Sequence, residues 1–286
     1  MLDNRIYTFL KLCETMNYRK TAEILNMTQP AVTQHIHYLE SIYKIKFFEY
    51  KNKTLYKTDE GRKLEEYARS IVYNEKIFQK EIVNQKKQKI YIGATKTIGE
   101  YDIDNIVEYF VKDTHIEFKL IIDNTKNLLK YLDEFKLDFL IVEGYFDKNK
   151  YDCRLFKNEE MVGICSKNHP FADREIDIRD IFSENIILRE EGSGTRKVFE
   201  YFLKEQNYTY KSFTKNTIIS SLSLTERLIE KNLGISFMFN SIPNINNKIS
   251  VFKLREKPIL HEFNFVFLKG SKAVDIVEKI ATAIKL

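Results

Sequence analysis

Residues that break or staple a backbone are scarce in this chain. Four prolines and nine glycines among 286 residues are too few for a collagen-like or low-complexity disordered chain. Three cysteines, Cys13, Cys153 and Cys165, make an odd and scattered set. They argue against a disulfide framework and fit single thiols in a reducing cytoplasm. No run of about 18 apolar residues occurs, so no bilayer-spanning helix and no membrane role are expected. The opening MLDNRIYTFLKLC has no basic stretch followed by an apolar run and a small-residue cleavage site, so export is not expected and the location reads as cytoplasmic. No Cys/His spacing suits a metal, and no nucleophile–base pair or acid–base carboxylate pair stands out. Neither a metal, a cofactor nor an enzymatic activity is therefore expected.

What is present can build cores. The composition is 43% hydrophobic, 13% aromatic and 30% charged, with mean hydropathy −0.38, and the length suits about two domains. Charge is uneven. Residues 1–89 hold 17 Lys/Arg against 11 Asp/Glu, while residues 90–286 hold 29 against 30. A basic first third on a near-neutral remainder points to a nucleic-acid-binding head on a body with another task.

The head reads as helix-turn-helix. Ile6, Phe9, Leu10 and Cys13 have helical spacing over residues 3–15, and Asn17 precedes a short second helix with Thr21, Ala22, Ile24 and Leu25. Thr28 is a good N-cap for a third helix, and Pro30 is tolerated in its first turn because no N–H is needed there. Val32, Ile36 and Leu39 form its inner face. Phe47 to Lys57, with two β-prone runs around Lys51-Asn52-Lys53, reads as a small hairpin or wing. Thr58 then caps a long helix to about Val83, with Asp59 and Glu60 complementing its dipole. Leu64, Ile71 and Phe78 recur at seven residues, and Ala68 and Ile82 fill the same side. That stripe calls for a second copy of the helix, packed as in a coiled coil; packing on its own domain is the alternative. Gln85 to Lys89 reads as a hinge.

From Ile90 the rhythm becomes β-α. KIYIGA, IEFKLII, DFLIVEG, MVGICS, NIILRE, ISFMF and NFVFLK are strand candidates, with helices through Ile106 and Phe110, through Leu128, Leu129 and Leu132, and over VDIVEKIATAIKL. Apolar strands alternating with helices predict parallel sheets covered on both faces, arranged as two lobes with a ligand cleft between them.

These residues carry a resemblance. NYRKTAEILNMTQPAVTQHIHYLESIYKIKFFEYKNKTLYKTDEG resembles the DNA-binding head of LysR-type transcriptional regulators, and IYIGATKTIGEY, DFLIVEG, ILREEGSGTR and LIEKNLGISF look like the landmarks of that family's effector domain, in order. Many members have Arg where Tyr50 stands and Leu where Lys57 stands. Asn232, often Gly in the family, tolerates the same left-handed conformation. The resemblance implies an α/β chain with an N-terminal all-α winged helix-turn-helix at 1–58. A linker and dimerisation helix with hinge follows at 59–89. A two-lobed effector-binding domain, similar in shape to periplasmic solute-binding proteins, spans 90–286, with lobe 1 at 90–160 and 265–286 and lobe 2 at 161–264. It also implies a homodimer through the long helix, a tetramer through the bodies, a pseudo-palindromic promoter site and contact with RNA polymerase.

Within that frame the third helix enters the major groove of double-stranded DNA. Its start at Thr28, with Gln29, Pro30, Thr33, Gln34 and His37 on its outer arc, is placed to meet base edges. Arg19, Lys20, Lys51 and Lys53 serve phosphates, which fix register. His35 and His37 point about 200° apart around the helix and do not share a metal. In the body, Thr95-Lys96-Thr97 and Gly192-Ser193-Gly194-Thr195 each follow a strand and open a helix. Helix N-termini carry unpaired N–H groups and partial positive charge. Two of them facing one cleft would clamp a small anion or carboxylate, with Asn124 and Thr125 on the same rim. The plainer alternative is that these hydroxyls only cap helices. Arg189 and Arg196 either hold the anion or pair with Glu190 and Glu191. A DNA-binding regulator without a ligand, and a solute receptor without a DNA role, are the rival functions.

Overall fold

The computed structural model describes residues 2–83, 88–241 and 247–284. They fall into two compact units: residues 2–83 with 268–274, and residues 88–267 with 275–284. Of the expected hinge, residues 85–87 lie outside the described residues, and Gln88 and Lys89 already belong to a strand.

The first unit opens with α1 (Asn4–Thr15), α2 (Tyr18–Leu25) and α3 (Gln29–Tyr43). Each starts on a side chain that accepts an orphan N–H: Asp3 from Arg5, Asn17 from Lys20 and Thr28 from Ala31. Each ends on a left-handed residue, Met16, Asn26 and Lys44, which turns the chain sharply. Pro30 sits in the first turn of α3. Val32, Ile36 and Leu39 are buried with Phe9 and Leu12 of α1. A hairpin follows, β1 (Phe48–Lys51) paired with β2 (Thr54–Lys57). Its two-residue turn places Asn52 and Lys53 at φ 49° and 63°, the double left-handed geometry that matches strand twist. Phe47 and Phe48 close over Phe9 at ring separations of 5.6 and 5.5 Å.

Thr58 accepts from the Gly61 amide at 2.9 Å and so caps α4 (Asp59–Val83). The seven-residue stripe divides along this helix. Ala68 is buried in the first unit and Leu64 and Ile71 are half-buried, whereas Phe78 and Ile82 stay 57% and 58% exposed.

The second unit is one eight-stranded sheet, a separate two-stranded sheet and covering helices. Its first part comprises β3 (Gln88–Thr95), α5 (Lys96–Tyr101), α6 (Asp104–Lys112), β4 (Ile116–Asp123), α7 (Thr125–Asp133) and β5 (Phe139–Val142). The chain then crosses on β6 (Tyr151–Ser166). The distal part contains β7 (Glu175–Ile176), β8 (Asn185–Leu188), α8 (Gly194–Glu205), β9 (Lys215–Ile218), α9 (Leu222–Glu230), β10 (Ser236–Phe239) and β11 (Ile249–Leu254). It returns on β12 (Ile259–Leu268) and finishes with α10 (Ala273–Ala283).

The sheet corrects one expectation. β3–β4, β3–β5 and β8–β9 are parallel, but β5–β12, β6–β10 and β6–β11 are antiparallel. The strand path β4-β3-β5-β12-β6-β11-β7 is therefore mixed. The reason is connectivity. β6 carries the chain out to the distal lobe and β12 brings it back, so the two neighbours run in opposite directions and fuse both lobes into one sheet. MVGICS is only the distal end of β6, and β7, β9 and β11 went unanticipated because they are short or carry charge. β5 (FLIV) is buried at every position, as a strand covered on both faces must be.

Candidate DNA-reading surface and effector cleft

On α3 the inner and outer faces separate cleanly. Gln29, Pro30, Gln34 and His37 are exposed and Thr33 half-buried. The Thr33 hydroxyl donates to the Gln29 carbonyl at 3.1 Å, and the Gln29 amide approaches that hydroxyl at 3.4 Å. These two side chains, one turn apart, form a single polar patch above the capped start of the helix. His37 lies 3.4 Å from Glu40. His35 is a different kind of residue: its ring contacts the Thr8 hydroxyl at 2.9 Å and ties α3 to α1.

Among the expected phosphate contacts, Arg19 and Lys20 are exposed at the start of α2, and Lys51 and Lys53 are exposed at the wing tip. Arg19 pairs with Glu23 at 3.3 Å and Lys51 with Glu49 at 2.6 Å. Such surface pairs exchange readily for phosphate because each is worth little in water. Buried Glu40 positions the wing, accepting from the Phe47 amide at 3.0 Å and from Lys46 at 2.6 Å. The two departures from the family pattern now have distinct fates. Tyr50 is 65% exposed on the wing. Lys57 points inward and bonds Glu65, which also accepts from Arg69 at 2.9 Å. Burial pushes the Glu65 carboxyl up, but Arg69 and Lys57 outweigh it and hold it below the usual range. Lys57 thus joins the wing to α4.

In the second unit the expected ligand residues divide into two groups. The inner group surrounds Glu143, at the end of β5. Thr95 and Thr195 both donate to its carboxylate, the latter at 3.1 Å. The Thr97 and Thr195 hydroxyls lie 3.2 Å apart. All three threonines and Glu143 are buried. Burial pushes the Glu143 carboxyl up to about 7, against the pull of Arg189 and Thr195. The helix that Thr95 opens has only six residues, so its dipole is small, and the Thr95 hydroxyl goes to Glu143 instead of capping it. Lys96 bonds Glu190 and the Ser220 carbonyl, each at 2.9 Å. The inner hydroxyls thus face the chain's own Glu143 carboxyl.

The outer group lines an open cleft of about 450 Å³ between Thr125, Lys126, Leu129 and Tyr145 on one wall and residues 191–194, 196, 197 and 200 on the other. Its volume falls in the range of small-molecule sites. Two helix N-termini meet here, those of α7, with nine residues, and α8, with twelve. Asn124 caps α7 through the Asn127 amide at 2.9 Å, and Ser193 caps α8 through the Arg196 amide at 3.4 Å. The walls touch because two residues lack side chains. A Cβ on Gly194 would lie 2.7 Å from Gly144 Cα, and one on Gly144 would lie 2.3 Å from the Thr125 hydroxyl. Gly192 takes φ 90° beside Lys126 and Asn124. Arg189 pairs with Glu190 at 3.1 Å, and Arg196 pairs with Glu200 at 2.7 Å, not with Glu191.

Sequence reading missed Glu143, Lys126 and Lys197. Glu143 had a signal: an acid directly after the wholly apolar FLIV, at the carboxyl end of a strand, where sites in α/β sheets lie. The two lysines had none, since nothing in the chain's local pattern separates them from solvated surface. Among the described residues no cluster of acidic, His and Cys side chains is arranged to hold a metal, and no helix is long and apolar enough to cross a membrane.

A capped helix with a bare polar first turn, next to a basic hairpin, and a two-lobed α/β body with a polar cleft define a DNA-binding regulator with a sensor domain. Comparison with known proteins agrees. Residues 4–62 match the family described as bacterial regulatory helix-turn-helix protein, lysR family, and residues 84–284 match the LysR substrate binding domain. The chain belongs to the LysR family of transcriptional regulators. It is 27% identical over 267 residues to the HTH-type transcriptional regulator CysL of Bacillus subtilis, covering 91% of this chain and 88% of the relative. The structure of an H2O2-bound OxyR mutant from Corynebacterium glutamicum superposes with TM-score 0.61 at 18% identity, covering 98% of this chain and 90% of that one. The Synechocystis CcmR regulatory domain in complex with 2-PG does so with TM-score 0.60 at 18% identity, covering 68% and 96%. At these identities the structural likeness speaks for the fold.

Proposed function

We propose that this regulator reads a pseudo-palindromic promoter site with α3 and answers to a small anionic effector seated in the α7/α8 cleft. The observation that carries the DNA reading is the open first turn of α3. Its donors and acceptors at Gln29, Thr33 and Gln34 face away from a closed apolar interior, which is what major-groove readout requires. Arg19, Lys20, Lys51 and Lys53 fix register on phosphates, with Thr28 and Pro30 setting the entry of the helix and His37 at its far end.

For the effector, two helix N-termini and Lys126 around one cleft favour negative charge, and the CcmR domain bound to 2-PG lends support by analogy. Thr95, Lys96 and Thr97 brace the joint around Glu143, while Asn124, Thr125, Gly192, Ser193, Gly194 and Thr195 shape the seat. The working units on this reading are the head at 1–58, a linker at 59–89 and the effector domain at 90–286. The half-exposed stripe of α4 pairs two chains, and the bodies pair the dimers. The protein works in the cytoplasm and acts on RNA polymerase. An effector shifts this machine only by binding one arrangement of the lobes better than the other.

The test is a salt-controlled gel-shift titration of the full chain on DNA upstream of its own gene against scrambled competitor. Thr33→Ala is expected to reduce discrimination by about 1–3 kcal/mol at one base position and leave the melting temperature unchanged. Equal binding of both DNAs by the parent chain refutes the reading.

A further inference from the structure

The effector cleft and Glu143 share one turn of helix. Ser193, Gly194 and Lys197 of α8 line the cleft, and Thr195 of that same turn donates to the Glu143 carboxylate at 3.1 Å. The cleft is lined by Lys126, Arg196 and Lys197 against Glu191 and Glu200. Lys126 and Lys197 have no acidic partner within 4.0 Å among the described residues, unlike Arg196, which pairs with Glu200. Thr125, 5% exposed and part of the wall, has a buried hydroxyl without a partner. Glu191 is the acid on the rim left outside any ion pair.

An anion seated there and the Glu143 carboxylate compete for the same partial positive charge at the start of α8. Like charges close together disfavour each other's ionised form, and most of all the one that is buried, here Glu143. Glu143 has a way to yield. Its partners are hydroxyls, which accept as well as donate, so a protonated Glu143 keeps its bonds to Thr95 and Thr195, with Thr97 3.2 Å behind. Burial already brings its titration to about 7. The charged groups around it are each only partly engaged elsewhere, since Arg189 Nη1 and Asp102 Oδ2 are buried without a partner, and Arg189 pulls the Glu143 carboxyl down while Asp102 pushes it up. Arg189 pairs with Glu190 and Asp102 with Lys157 at 2.7 Å. His261 hydrogen-bonds the Glu143 backbone, and its own burial holds it below its ordinary value.

We propose that Glu143 is the specificity-determining residue of the cleft and links anion binding to uptake of one proton, so that the site takes an anionic group together with a proton. This rests on the anionic-effector reading above. In the forward direction, the anion enters beside Lys126, Lys197 and the α8 N-terminus, and the proton goes from solvent to the Glu143 carboxylate. Nothing else changes covalently.

The probe is sulfate, which does not titrate between pH 6 and 8. Calorimetric titration of the full chain with sodium sulfate, at constant ionic strength and in two buffers of different ionisation enthalpy, is expected to show proton uptake near pH 7. It should also show affinity falling about tenfold from pH 6 to pH 8. Glu143→Gln should bind sulfate with no pH slope and no proton uptake. Lys126→Ala with Lys197→Ala should lose binding at every pH. Because the proton uptake is read on the unaltered chain, failure of Glu143→Gln to fold leaves the test intact. Sulfate binding without proton uptake overturns the role of Glu143 and leaves the seat standing. No sulfate binding by the unaltered chain or by Glu143→Gln overturns the anion seat itself.

Discussion

Threonine opens helices in both halves of this molecule, and the two halves use it in opposite ways. In the head, Thr28 caps α3 and Thr33 sits one turn on with its hydroxyl half-exposed beside Gln29. In the body, Thr95, Thr97 and Thr195 are buried, and their hydroxyls face Glu143 and each other. The same side chain at similar local positions is left at the surface in one place and is a buried brace in the other. The difference lies in what arrives from elsewhere in the chain. Gln29, Pro30, Gln34 and His37 on the outer arc of α3 stay exposed among the described residues, whereas Glu143, Gly144 and Gly194 bring a third element onto the body's threonines.

If that contrast holds, changes in the body network should move stability strongly and changes on the head surface weakly. The largest effect concerns Glu143. Its carboxyl is raised from an ordinary 4.5 to about 7 by burial, so the folded chain holds this proton more tightly than the unfolded one. The stabilisation is full below pH 4.5 and is lost as pH rises through 7, by about 3 kcal/mol. Urea unfolding from pH 4.5 to 8, with Glu143→Gln as the reference, should show this slope in the parent and not in the variant. A flat difference between the two would place Glu143 in a wetter setting than the fold describes.

The next effect belongs to Thr195. Thr195→Val keeps the shape and removes a donor from a buried carboxylate, which should cost about 1–3 kcal/mol by the same unfolding assay. A neutral outcome would erase the distinction between buried brace and surface group. The smallest is in the wing, where Lys53 occupies left-handed backbone at φ 63°. Lys53→Gly removes that strain and should stabilise the chain by about 1 kcal/mol. It should also weaken promoter and random DNA alike, because a phosphate contact carries no sequence information. A fall in melting temperature would show that the lysine stem packs in the wing.

Much of the head was legible because its signals are local. Asn17, Thr28 and Thr58 announce their helices through bonds that span three residues, and the inner face of α3 follows from helical period alone. Lys57 escaped, since its partner Glu65 comes from the next element. In the body the strands DFLIVEG and NFVFLK were visible as apolar runs, but not their directions. Run and period carry no sense of orientation, and the antiparallel pairing of β5 with β12 depends on a chain that leaves and returns. The helix ends were only partly legible for a similar reason. Thr95-Lys96-Thr97 opens a helix of six residues whose Thr97 hydroxyl lies against Thr195 of α8, and α7, opened by Asn124 and Thr125, brings a second helix end to α8 from further along the chain.

Neighbours along the chain were enough to specify the capped trihelical head, the hairpin, the long helix and the alternation of strands and helices behind it. Folding in three dimensions was needed to choose which helix ends share a cleft, and to put Glu143 into the inner one. Hydrogen bonds between residues about fifty positions apart leave no local trace, because they exist only once a mixed sheet has folded the two lobes onto one another.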